Sequence, residues 1–142
     1  MATSNAATTY LENKILSFIF KNNAASFTTP GDSIYVGLAT AVSDAEAGSL
    51  TEATFGSYAR QQVTASNWTL TASSADTQTI KNSANIEFPA STGTSNTITH
   101  AFIVDAASSG NILFVGALDA SKTIATGDVF RINTNNLTIE LK

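Results

Sequence analysis

The stretch TITHAFIVDAASSGNILFVGAL, residues 97–118, decides the fold. Two apolar runs flank a small polar turn, the pattern of a β-hairpin with a longer loop. Side chains alternate along a strand, so His100, Phe102 and Val104 share one face while Ala101, Ile103 and Asp105 share the other. In the second run Ile112, Phe114 and Leu118 are expected opposite Leu113, Val115 and Ala117. Both runs are apolar on both faces, so both faces must be covered. A sandwich core covers one. The second cover is expected from an N-terminal helix or from another subunit.

Working outward, period-two patterns recur between polar breaks. They predict strands near 33–40, 57–64, 67–72, 77–81, 83–88, 97–105, 111–118, 129–133 and 136–141. The last is the plainest: Leu137, Ile139 and Leu141 alternate with Thr138, Glu140 and Lys142. The acidic, turn-rich segment 41–56 reads as a long surface loop. One segment is helical in pattern: Leu11, Ile15, Phe18 and Ile19 fall at i, i+4, i+7 and i+8. Thr9 and Glu12 have capping-box spacing, and Asn22 and Asn23 suit the stop. The expected architecture is all-β: a jelly-roll-like antiparallel β-sandwich with one N-terminal α-helix. Residues 1–8 form a flexible N-terminal arm. Residues 9–142 form a single domain, its helix at about 9–22.

Composition agrees. Ser and Thr make up about a quarter of the 142 residues and charged groups only 13%, a neutral polar surface that suits pleated sheet. The net charge of −4, with seven basic residues spread along the chain, argues against nucleic acid. There is no cysteine, hence no disulfide, thiolate chemistry or Cys-ligated zinc. The start MATSNAATTYLENK has no basic region before an apolar run, and Ile15 to Phe20 is too short to span a bilayer. A soluble protein, not secreted and without a membrane partner, is expected.

The sequence offers little chemistry. His100 is the only histidine, and its nearest acid, Asp105, points from the opposite face. A Ser–His–Asp relay needs both partners on the imidazole. His100 therefore reads as part of a wall, at the edge of a core or interface. Asp44, Glu46 and Glu52 in the acidic loop lack the spacing of a calcium-binding loop. No phosphate-cradling glycine pattern or nucleophile elbow is present. Trp68, Tyr35, Tyr58 and Phe88 admit a sugar-platform reading, but strand aromatics more commonly pack. No catalytic, metal or cofactor site is expected, and the protein is read as not an enzyme.

The blocks SIYVGLATAVSDAEAG, GSYARQQV, SANIEFPAST, ITHAFIVDAASSGNILFVGAL and TGDVFRINTNNLTIEL, in that order, resemble a family of small tailed-bacteriophage virion proteins. The helical start TYLENKIL fits too, so the resemblance runs from about residue 9 to 141. Where the family pattern favours Phe-Gly after the histidine, this chain has Ala101 and Phe102. Members are commonly labelled phage tail fibre proteins, and similar small β proteins are capsid decoration, or cement, proteins. The resemblance implies a structural virion protein, made in the host cytoplasm and placed on the capsid surface. There it would bind between major capsid proteins as a homo-oligomer, a trimer rather than a dimer. The alternative is a tail or head fibre component that attaches to the host surface. Residues 8–31 are the first candidate for the capsid-facing part. Tyr10, Leu11, Ile15, Phe18, Ile19, His100, Phe102 and Phe114 are the candidate capsid or subunit interface.

Overall fold

A computed structural model describes residues 5–21, 34–74 and 77–141. In chain order the elements are β1 (Ala6–Ala7), α1 (Thr9–Phe20), β2 (Tyr35–Asp44), β3 (Ser49–Glu52), β4 (Gln61–Gln62), a 3-10 turn at Ala65–Asn67, β5 (Trp68–Ser74), β6 (Thr77–Asn82), β7 (Ile86–Glu87), β8 (Asn96–Val104), β9 (Ile112–Ile124), β10 (Arg131–Ile132) and β11 (Thr138–Leu141). The large sheet runs β1-β9-β8-β2-β3, with β4 pairing the start of β2. The other layer holds a β5-β6-β11 sheet and a β7-β10 ribbon. Every described pairing is antiparallel. The fold is an all-β sandwich with one N-terminal helix.

The 97–118 stretch forms the β8–β9 hairpin at the centre of the large sheet, and both of its faces are covered. On one face Val36, Leu38, Ile98 and Ala101 meet Phe55, Phe88, Phe130 and Ile132 in the main core. Phe55, Tyr58, Phe88 and Phe130 form a chain of edge-on and stacked rings 5.2–6.1 Å apart. The other face holds a smaller cluster of Ala39, Ala45, Phe102, Val104 and Val115. Ala6, Tyr35, Leu50 and Ile112 pack against it. The β2–β3 hairpin and β1 supply residues to this second cluster, and α1 lies against β9 with Leu11 buried.

Register corrects one expectation. Ile103 pairs with Phe114, but Val104 pairs with Ile112, so one residue of β9, Leu113, bulges between them. A bulge reverses the alternation beyond it. Ile112 therefore joins Val104's cluster, while Phe114 lies on the face of Ile103.

Other boundaries shift for local reasons. The loop expected at 41–56 is mostly hairpin: β2 runs on to Asp44 and returns as β3. Asp44 Oδ1 accepts from the Ala47 amide at 3.1 Å, and Gly48, at φ +66°, closes the turn. Only Gln61–Gln62 of the expected 57–64 strand pairs, because 56–60 turns to aim Tyr58 and Arg60 inward. The expected strands 83–88 and 129–133 shorten to the two-residue pairs of β7 and β10. The helix cap is Thr8, not Thr9: its Oγ1 accepts from the Leu11 amide and donates to the Ile112 carbonyl. Asn22 and Asn23 lie outside the described residues. Within the expected flexible arm, Ala6 and Ala7 pair with Val115 and Phe114, and Asn5 Oδ1 accepts from the Ala117 amide at 2.6 Å.

Candidate functional site

Charge gathers at one seam, where β2 leaves β4 and takes up β3. Arg60 donates to both carboxylate oxygens of Glu52, from Nε at 2.7 Å and Nη2 at 2.8 Å. Its Nη1 donates to the carbonyls of Ala106, at 3.0 Å, and Ser109, at 2.7 Å. The guanidinium lies over the Phe102 ring, 5.3 Å from its centre. Tyr58 donates to Glu52 at 2.8 Å and accepts from the Leu38 amide at 3.0 Å. Burial works to raise the Glu52 carboxyl, but the hydrogen bonds from Arg60 and Tyr58 and the Arg60 charge leave it below its ordinary value. Burial, with Glu52 beside it, pushes the Tyr58 hydroxyl well above the usual range.

This arrangement is chemically closed. The Arg60 side chain is 9% exposed and spends its donors on Glu52 and the 105–111 loop. No free donor fork faces solvent to take a ligand anion. Asp105 holds the same loop by accepting from the Asn111 amide and side chain at 2.7 and 2.9 Å. Phe102 lies across Gly37, where an added Cβ would sit 2.2 Å from its Cζ. Glu52, Tyr58, Arg60, Gly37 and Phe102 form one structural lock, and sequence reasoning missed the Glu52–Arg60 pair. The signal was available in the opposite charges of LTE and YAR. What hid it was the reading of Glu52 as a loop acid.

His100 also belongs to the body. Its Nδ1 lies 2.8 Å from Thr99 Oγ1, and its Nε2 is buried without a hydrogen-bond partner. Burial lowers its pKa. No carboxylate bonds to it among the described residues, so a catalytic relay has no second member here. Nor do three His, Asp or Glu side chains gather to hold a metal ion among the described residues. The four aromatics open to a sugar-platform reading are packed: Phe88 is buried, Tyr58 and Trp68 lie on the main core, and Tyr35 lies on the smaller cluster.

The remaining feature is apolar. Of the candidate interface residues, Leu11 and Phe102 are 5% and 1% exposed, committed to the chain's own core. Ile15 and His100 are half-buried. Tyr10, Phe18 and Ile19 are exposed, and so are Leu16 and Phe20, which the four-residue stripe overlooked. The unbroken run ILSFIF was the signal for them. The first turn of α1 is anchored: Thr8 N donates to Leu113 O and Thr9 N to Glu46 O, both at 2.9 Å. Beyond it Ile15, Leu16, Phe18, Ile19 and Phe20 form a broad apolar arc, with Lys14 and Ser17 on the other side. Phe114 lies elsewhere, in a groove of about 730 Å³ at the mouth of the sandwich.

A model of the family described as podophage GP4 fiber I protein gp80 matches residues 6–140. The chain belongs to this family. It is a tailed-phage structural protein of fibre type, as the blocks from SIYVGL to LTIEL implied. No curated protein matches the chain. The matched span takes in both the lock and the exposed helix. No described helix is long and apolar enough to cross a membrane.

Proposed function

We propose that the chain is a building block of the virion, a rigid β body fastened to its neighbours through α1, and that it serves in a fibre. The observation that carries this is one short helix on which Leu16, Ile19 and Phe20 are more than half exposed. Exposed apolar surface of this extent marks a protein–protein contact. The fibre placement draws on the family description. The work done is mechanical, and no step of it calls for catalysis. Assembly as a homotrimer is the expected state, since closed cyclic symmetry satisfies every copy alike.

Cementing of the capsid shell, with the major capsid protein as partner, is the second reading. It draws on the shape: a single sandwich with one protruding helix suits a unit repeated over a lattice, where binding only the assembled shell stabilises it. A cryo-electron reconstruction of the virion carrying this chain separates the two. Density at the tail or on a projecting fibre supports the first. Density at local symmetry axes of the shell transfers the protein to cement. Absence of the chain from purified virions overturns both.

A further inference from the structure

One edge of the sandwich is left unguarded. The β5-β6-β11 sheet ends on β5, which pairs only with β6 among the described residues. β5 offers seven residues, WTLTASS, with no charge and no proline. The other edges among the described residues are blunted, as folded proteins commonly blunt them. β3 and β11 have four residues each and carry Glu52 and Glu140. β4, β7 and β10 have two residues each. The outer edge of β9 is taken by β1 and by Asn5 as far as Ala117. Beyond it residues 118–121 bulge against the single Thr99 of β8, with the charges of Asp119 and Lys122 there. Two bonds fix which way the β5 backbone faces: Ser83 N donates to Asn67 O at 2.8 Å and Asn82 N to Leu137 O at 3.2 Å. Alternation then turns Thr69 toward β6, and Trp68 and Leu70 away from it. The Trp68 N–H is used within its own turn, on Ala65 O. The Trp68 carbonyl and both backbone groups of Leu70 face outward. The Leu70 side chain is 70% exposed and stands in register with Ile80 and Ile139, an apolar row that stops at the edge.

We propose that β5 of one copy pairs antiparallel with β5 of a second copy, about a two-fold axis at Leu70, joining two three-stranded sheets into one. A second copy is singled out because antiparallel pairing about a two-fold makes a free strand its own complement, and β5 has no charge to repel its twin. The side chains choose the register. Leu70 meets Leu70 of the second copy, so the row Ile139–Ile80–Leu70 runs on across the axis. Thr69 stands opposite Thr71 of the second copy, hydroxyl against hydroxyl, a favourable cross-strand pair. Leu70 is also the residue with both backbone groups free. The pair on the axis therefore exchanges both bonds and each Trp68 carbonyl takes one more, about four in all. A contact of this size belongs with the weak ones, under about 1,200 Å². It is stabilised where copies are held close together, and that crowding alone rests on the virion-subunit reading above. The two-fold contact is separate from the threefold assembly expected there, and the two together make a pair of rings.

The chain has no cysteine, so an introduced one reports this contact without background. Leu70→Cys and Thr69→Cys are purified as full chains, oxidised separately at hundreds of micromolar and run on non-reducing gels. On the axis the two Cα atoms lie about 5.5 Å apart, inside the span of a disulfide. The two Thr69 positions lie on a diagonal of about 8 Å, beyond that span. Leu70→Cys is expected to cross-link on the order of tenfold faster than Thr69→Cys. A mixture of Thr69→Cys and Thr71→Cys should match Leu70→Cys. Leu70→Lys sets a charge against its twin on the axis. It is expected to keep the circular dichroism spectrum and to halve the mass that wild type shows by light scattering at the same concentration. Equal cross-linking rates for Leu70→Cys and Thr69→Cys overturn the proposal. So does a wild-type monomer at that concentration, or a mass that a folded Leu70→Lys leaves unchanged. If Leu70→Lys does not fold, the cross-linking rates decide. None of these results touches the virion-subunit reading, because its own test is the presence of the chain in purified virions.

Discussion

The Arg60 lock and the α1 helix are opposite solutions within one chain. Around Arg60 a charge is withdrawn from water and its donors are spent on Glu52, Ala106 and Ser109, with the Phe102 face beneath. Along α1 apolar side chains are left in water, with Phe20 79% exposed. The first region costs desolvation and recovers it inside the subunit. The second recovers nothing until something covers it. A region that has met its own physical requirements is architecture, and one that has not is where a partner belongs.

The contrast can be broken by substitution, and the lock should yield the larger effects. Phe102→Ala removes the ring that lies between Gly37 and Arg60, and is expected to cost about 4 kcal/mol, read from urea unfolding. Gly37→Ala destabilises wild type through its clash with that ring. It should cost much less in the Phe102→Ala background, since contacting residues are not additive. Equal costs in both backgrounds would remove the close approach as the cause.

Arg60→Ala leaves Glu52 partly buried without its cation, held by Tyr58 alone, for about 3 kcal/mol. The same variant tests the acid limb. Glu52 titrates lower in the folded chain than its ordinary 4.5. Its contribution is therefore complete above that value and is lost as pH falls through the lowered folded one. Wild-type stability should drop below about pH 4.5, and Arg60→Ala should flatten that drop. An unchanged acid limb would mean that other carboxylates set it.

Asn82 sharpens the comparison inside the second layer. Fully buried, it donates from Nδ2 to Ala84 O and Asn133 O and accepts from the Leu137 amide, at 2.8–2.9 Å. Asn82→Ala strands three backbone groups and should cost about 2 kcal/mol. A loss under half a unit in the same assay would mean that water replaces them.

His100 should matter less. Its pKa is lowered by burial, so the folded chain favours the neutral ring. Its contribution is complete above the ordinary 6.5 and is lost as pH falls from there toward the lowered folded value. The unfolding midpoint of wild type should decline between pH 7 and 5, and that of His100→Leu should not. Parallel declines would place the titrating group elsewhere. Smallest of all, Ile19→Glu should change monomer stability by no more than about 0.5 kcal/mol, while assembly measured by light scattering is lost. Intact assembly would detach α1 from the interface.

Much of this molecule was legible because its signals are local. Alternation predicted the β8–β9 hairpin and the pairing strands near 67–72 and 77–81, and the i, i+4, i+7 spacing predicted α1. The ordered blocks predicted the family. Local signals also misled. Small acidic residues at 41–56 have weak strand propensity, yet the sheet recruits them because β8 offers β2 a neighbour along its first half, and Gly48 turns the chain back into β3.

What the sequence by itself determined is the class: an all-β body with one apolar N-terminal helix, since periodicity and composition are properties of short windows. Tertiary structure alone decided that a single bulge at Leu113 sends Ile112 and Phe114 to opposite faces. It decided that Glu52 meets Arg60 and that Leu16, Ile19 and Phe20 stay largely exposed. Each of these depends on residues far apart in the chain being brought within a few ångströms, and no window of sequence measures that distance.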